Sequence, residues 1–336
     1  MATAFDMIGR GHPMDPSLLS LDLLLSILQA AVRTGTPILF VCIGEIYAER
    51  SGILNIGLEG LMLVGALAGF SAAFAVVHSG AVDPSLASFV GILAAAVAGG
   101  MFAVIHAFIT ITLRADQIVS GITLTILGTG LSGLFGQSMI GKVGPSFERL
   151  SIPVLSEIPV LGQIAFQQDL MVYLSFALVP ISWWVLYKTH LGLAIRSVGE
   201  SPKTADSLGV HVTKVRYGCV IFGGAMAGLG GAYLSLASAP MWVEQMSGGR
   251  GWIALALVIF ARWNPALAPV GAYLFGGADA LQLRLQAVGS AVPAFFLIML
   301  PYILTIVILV LASRSGHKRR VSAPAALGLP YAREER

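Results

Sequence analysis

The sequence predicts an all-α fold: a polytopic transmembrane helix bundle of about nine membrane segments (eight to ten), some discontinuous or re-entrant. Three observations predict it. Only 11% of the 336 residues are charged, against about 25% in an ordinary soluble domain, too few to coat a soluble surface. The mean hydropathy is +0.84. The apolar runs are long enough to cross a hydrocarbon core of about 30 Å.

In order, the runs fall at about 23–44, 53–77, 86–113, 117–137, 169–188, 215–237, 251–263, 267–286 and 294–313. They divide the chain into an N-terminal segment 1–22, a transmembrane domain 23–313 and a tail 314–336. The first twenty residues lack the basic and apolar regions of a cleaved signal peptide, so run 23–44 serves as the targeting signal. Run 53–77 opens on SGILNIGLEG, polar and glycine-broken before it becomes uniformly apolar. Run 251–263 is only about 13 residues long and ends at Arg262, Trp263, Asn264 and Pro265. Both have the form of the discontinuous helices that line transport pathways, or of ordinary helices with untidy ends.

Orientation follows from charge. The loop 188–216 carries Lys188, Arg196, Lys203, Lys214 and Arg216 against Glu200 and Asp206. With Arg314, Lys318, Arg319 and Arg320 after the last run, it marks the cytoplasmic side. The even number of crossings between them agrees. Loop 138–168 is then external, and Pro145, Pro153, Pro159 and Gly162 predict irregular structure there. The N-terminus is external if run 53–77 crosses once, and internal if its first part is re-entrant. The net charge of +3 is explained by this topology and does not point to nucleic acid.

Few motifs carry chemistry. Cys42 and Cys219 sit inside apolar runs, and the six histidines are scattered, so no disulfide or metal site is expected. Gly136 to Val143 matches the first seven positions of a P-loop, but Val143 replaces the magnesium-binding Ser or Thr and no strand precedes it. Energy from ATP would have to come from another subunit. No catalytic triad stands out, and acidic pairs within the membrane runs are not expected. Gly65 with Gly69, and Gly224 with Gly228, are GxxxG pairs that allow close helix approach in lipid.

Glu59 is the clearest intramembrane charge, and it must face the bundle or a cavity. Either it takes hydrogen bonds from the glycine-rich break around it, or it lines a pathway or gate. Asp279 and Gln282 share a helix face near the external end of run 267–286. They contact a solute, contact an external protein, or snorkel as a helix end. Trp242, Glu244, Arg250 and Trp252 bracket another external turn, where aromatic residues mark a membrane interface. In the loop 188–216, Ser201 can cap a short helix, Pro202 suits its first position and Gly209 its stop. Such a helix either docks into a partner or stiffens the connection.

Four blocks then become specific: GEIYAERSGILNIGLEGLMLVGALAGF (44–70), LGLAIRSVGESPKTADSLGVHVTKVRY (191–217), GGAMAGLGGAYLSL (223–236) and SGGRGWIALALVIFARWNP (247–265). With the tail APAALGLPY (323–331), they make the chain resemble the permease subunits of bacterial ABC importers for nucleosides and simple sugars. These stand within the larger group of branched-chain amino acid permeases. The resemblance implies a nucleoside permease, with ribose or another simple sugar as the alternative. It implies a cytoplasmic ABC ATPase holding ATP and magnesium, a related second permease subunit and an external substrate-binding lipoprotein, with no cofactor on this chain. It also implies a multi-pass protein of the bacterial inner membrane, working by alternating access. Residues Gly199, Glu200, Ser201, Pro202, Lys203, Ala205, Leu208 and Gly209 become the ATPase-coupling loop. Leu208 and Ala205 would form its apolar side, and Glu200 and Lys203 its rim. Asn55, Glu59, Trp242, Asp279 and Gln282 are the pathway or gate candidates. The rival class is an ion-coupled secondary transporter, which calls for several intramembrane acids.

Overall fold

A computed structural model describes residues 21–80, 84–287, 293–314 and 323–333. The N-terminal segment 1–22 is therefore described only from Leu21, and Lys318, Arg319 and Arg320 lie outside the described residues.

Helix α1 (Leu21–Arg50) runs past the apolar stretch 23–44 through Glu45 and Glu49, and the chain turns at Gly52, whose φ is 93°. Residues 51–57 are not helical. Helix α2 (Leu58–Ser79) follows, then α3 (Pro84–Ala107), which a π-helical turn extends to Thr112. Helix α4 (Gln117–Gly136) starts where Asp116 accepts from Val119 N–H. The connection 137–169 is less irregular than its prolines suggest. It holds strands β1 (Arg149–Ser151) and β2 (Gln167–Asp169), paired antiparallel with Arg149 opposite Asp169, and a short α5 (Leu161–Ala165). Helix α6 (Leu170–Lys188) begins at the Asp169 cap.

The basic loop is mostly helix. Its first part forms α7 (His190–Glu200), which the sequence reading leaves unassigned, and α8 (Pro202–Ser207) follows. Helix α9 (Val212–Tyr233) is extended by a π-helical turn to Ser238. Then come α10 (Arg250–Phe260), α11 (Ala268–Ala287) and α12 (Ala294–Arg314). Among the described residues six segments are long and apolar enough to cross a membrane, and α10 and part of α12 are shorter apolar helices. This is the polytopic bundle the composition requires.

Helix α9 is the axis, with α1, α2 and α3 packed around it. The approach is close because small residues face each other. A β-carbon on Gly65 would overlap the Gly228 backbone, and one on Gly228 would overlap the Ala95 carbonyl. Gly69 lies against Gly91 and Ala232, and Gly224 against Gly99 and Ala103, so both GxxxG pairs belong to this α2–α3–α9 contact. Gly228→Ala is expected to lower the melting temperature in detergent, because overpacking a tight core costs about 1–3 kcal/mol. Gly130→Ala, with open space at the added carbon, is expected to be neutral or stabilising. Equal melting temperatures for the two variants would refute the packing account.

The contacts also order the two ends of the bundle. Arg50, Thr112, Arg216 and Trp263 gather at the end that carries α7 and α8. Arg33 reaches Ala237 at the opposite end, where residues 140–144 pair with Pro240, Met241 and Trp242.

Candidate functional site

Two interrupted helices dominate the polar interior. The first interruption is 51–57, between α1 and α2. In a bilayer its peptide groups find no water and need protein partners. Leu54 N–H donates to Gln117 Oε1 (2.7 Å), Asn55 N–H to Glu45 Oε1 (2.8 Å) and Gly57 N–H to Asn55 Oδ1 (2.9 Å). His106 Nε2 lies 3.1 Å from Leu54 O, and Thr125 donates to Ile56 O (3.3 Å).

The expectation of no acidic pair in the membrane is overturned here. Glu45 and Glu49, one turn apart on α1, are 0% and 2% exposed. Glu49 accepts from Trp263 Nε1 (2.5 Å), and Arg50 Nε donates to Trp263 O (3.0 Å). Ending the first apolar run at 44 leaves both acids outside it. The chain places them inside because they serve the backbone of the break and the end of α10.

The second interruption precedes α10. Gly248 and Gly249 have φ of 56° and 83°, a conformation that favours glycine. The turn is held by Glu59. Its Oε1 accepts from Ser247 Oγ (2.5 Å) and Gly249 N–H (2.7 Å), and its Oε2 from Gly251 N–H (2.8 Å). A carboxylate at a helix N-terminus satisfies orphan donors and complements the helix dipole. Glu59 thus faces the bundle, but its donors come from Ser247–Gly251 and not from the break around it. That break is served by Glu45, Gln117 and Asn55 instead. Gly251 permits the approach, since a β-carbon there would lie 2.5 Å from Glu59 N.

Beside this turn Arg250 pairs with Asp279 (3.0 Å). Arg250, Asp279, Gln282 and Tyr302 line a cavity of about 160 Å³. The structure therefore brings Glu59, Asp279 and Gln282 to one place, around Arg250. Sequence reasoning took Arg250 only as the flank of a turn; the glycines on both sides of it were the available signal. Asn55 belongs to the other interruption and is spent on Gly57. Trp242 is 2% exposed and packs on Ala66 and Phe70 beside Gly136. It is a packing residue at the opposite end of the bundle, not a membrane-interface marker, whereas Trp252 is exposed.

The α8 helix has the expected caps. Ser201 Oγ accepts from Thr204 N–H (3.4 Å), Pro202 opens the helix and Gly209 turns the chain at φ 85°. Its faces differ from the expectation. Leu208 is 79% exposed, but Ala205 is 1% exposed and packs on Val198 and Val212. Ala205 is the seat of α8 on its own chain, and Leu208 alone of the two is free for a partner. Glu200 and Lys203 are exposed. Gly199 is buried, and a β-carbon there would overlap the Arg50 carbonyl. The α7–α8 pair thus rests directly on the start of the first interruption.

Residues 27–312 match the family described as branched-chain amino acid transport system / permease component. The guanosine ABC transporter permease protein NupQ of Bacillus subtilis (strain 168) is 38% identical over 325 residues, covering 92% of this chain and 97% of the relative. The nucleoside ABC transporter permease protein NupC of Lactococcus lactis subsp. cremoris (strain MG1363) is 37% identical over 307 residues, 88% and 93% of the two chains. A relative from Haloferax volcanii named "Putative glucose ABC transporter permease protein TsgC13" is 41% identical over 330 residues, 92% and 98% of the two chains. A helical bundle with two interrupted segments, matched along nearly its whole length, belongs to the branched-chain amino acid transport system / permease component family.

Proposed function

We propose that this chain is the membrane permease subunit of an ABC importer for nucleosides. The observation that carries the reading is the match, over most of the chain, to two permeases named for guanosine and nucleoside transport. The polar junction at α10 fits a neutral, polar solute. Arg250 is paired with Asp279, and Glu59 is spent on backbone and hydroxyl donors. Such a junction offers hydrogen-bonding groups whose charges are already engaged by protein partners, which suits a neutral solute.

In this reading a cytoplasmic ABC ATPase, holding ATP and magnesium, docks on α8. A related second permease completes the path, and an external lipoprotein delivers the solute. This chain is not itself an ATPase and binds no cofactor. ATP shifts the population between outward- and inward-open states through contacts that differ between them. The protein sits in the bacterial inner membrane with α7, α8 and the tail in the cytoplasm. The 41% identity to TsgC13 favours a second reading, a simple-sugar permease of the same architecture.

Two measurements test this. The cognate binding protein and the reconstituted importer should bind and take up guanosine, and guanosine uptake should survive collapse of the proton gradient. Preference for glucose or ribose would select the sugar reading, and loss of uptake with the gradient would select an ion-coupled carrier. A single cysteine at Ser201, with Cys42 and Cys219 replaced, should resist an impermeant thiol reagent in intact cells, and one at Ser156 should react. Labelling of Ser201 would reverse the orientation.

A further inference from the structure

Residues 323–333 lie against the α7–α8 end of the bundle and touch four parts of it: α7, α8, α9 and the first interruption. Ala326 N–H donates to Gly199 O on α7 (2.9 Å), and Gly328 N–H donates to Gly52 O in the first interruption (3.2 Å). Arg216, buried at the start of α9, donates through Nη1 to Leu329 O (3.3 Å) and through Nε to Ser51 O (3.2 Å). Tyr331 packs on Val198, Ala205 and Val212, the seat of α8. Arg333 pairs with Asp206 on α8 itself (3.3 Å).

These contacts have a common logic. The carbonyls of Ser51 and Gly52 have left α1 and have no helical partner, so donors must come from elsewhere. The tail supplies one donor directly and orients Arg216, which supplies the other. The same tail holds both helices of the proposed ATPase contact. Residues 51–57 lead straight into Glu59, and Glu59 holds the N-terminal turn of α10. A displacement of α8 therefore has a continuous packed route to the polar junction.

We infer that residues 323–333 are a strap that ties the ATPase-facing helix α8 to the interruption 51–57, with Arg216 and Tyr331 as positioning residues for energy coupling. The inference rests on the importer reading, because it needs α8 to be the surface that the ATPase moves. The strap joins the two moving parts, so cutting it should separate hydrolysis from transport without removing either machine.

The test uses the whole importer in proteoliposomes, with both permeases, the ATPase and the binding protein. ATP hydrolysis and guanosine uptake are measured together. Tyr331→Ala, and a chain ending at Ser322, should keep hydrolysing ATP while uptake per ATP falls about tenfold, the scale of an ordinary coupling free energy. Tyr331→Phe, which keeps the ring on Val198, Ala205 and Val212, should lose less of the ratio than Tyr331→Ala. A synthetic peptide of residues 323–336 should restore part of the ratio to the shortened chain. An unchanged ratio in Tyr331→Ala, in a complex that retains its ATPase, overturns the strap whether or not the shortened chain assembles. Failure of the unaltered complex to couple ATP to any uptake overturns the importer reading, and this inference falls with it.

Discussion

Replacing Glu59 by leucine is expected to abolish uptake and to lower thermal stability. The carboxylate holds the Ser247 hydroxyl and the N–H groups of Gly249 and Gly251. Leucine accepts from none of them. Each donor left unpaired away from water costs about 1–3 kcal/mol, and relaxation of the turn recovers part of the sum, so a net loss of about 3–5 kcal/mol is expected. Glu59→Gln is milder. Its one remaining oxygen can keep the two donors on Oε1, but its NH₂ then faces Gly251 N–H, donor against donor. One lost bond to a charged acceptor predicts about 1.5–3 kcal/mol and reduced, not abolished, uptake. Melting temperature and uptake measured on the same preparations check this. If both variants stop transport at wild-type stability, Glu59 is a charge gate and not a cap. A leucine variant that is normal in both measurements would remove Glu59 from function altogether.

The membrane architecture was legible because apolar length is a property of the sequence alone. Glu59 was legible as a buried acid for the same reason: it stands inside an apolar run. Its partners were not, since Ser247–Gly251 lie far along the chain and only the fold brings them to α2. Glu45 and Glu49 were missed for the opposite reason. Their polarity ends the apolar run at 44, yet the helix continues to Arg50 because tertiary partners compensate. Local hydropathy marks where a span would stop in lipid, and it cannot register a neighbour that makes burial tolerable. The α8 caps were legible from local chemistry, whereas the direction of Ala205 depends on where α7 and α9 stand. The tail followed the same rule: APAALGLPY is a short apolar stretch that entered the sequence reading through its likeness to the family, and its contacts with Gly52, Gly199 and Arg216 are all long-range.

Leu208→Glu and Ala205→Glu should fail in different ways, and the contrast tests the coupling surface. Leu208 is 79% exposed, so a charge there meets water in the free subunit, and surface substitutions of this kind usually change stability by less than about 0.5 kcal/mol. In the proposed importer the ATPase covers this helix, and the same carboxylate would become a buried, unpaired charge. Such defects cost about 2–5 kcal/mol at an interface, which weakens association by roughly thirtyfold or more. The variant should insert, melt and pack as the wild type, yet lose the proposed ATPase partner on purification and take up no nucleoside. Ala205 is 1% exposed and sits on Val198 and Val212. A glutamate there cannot reach solvent without lifting α8 from its seat, and a stranded buried charge costs about 3–5 kcal/mol. Its loss of transport should therefore come with a lower melting temperature and faster proteolysis near Lys203. Identical stability losses in both variants would mean that α8 is a packed connector with no partner surface. Normal uptake and ATPase retention with glutamate at Leu208 would move the contact elsewhere on the chain.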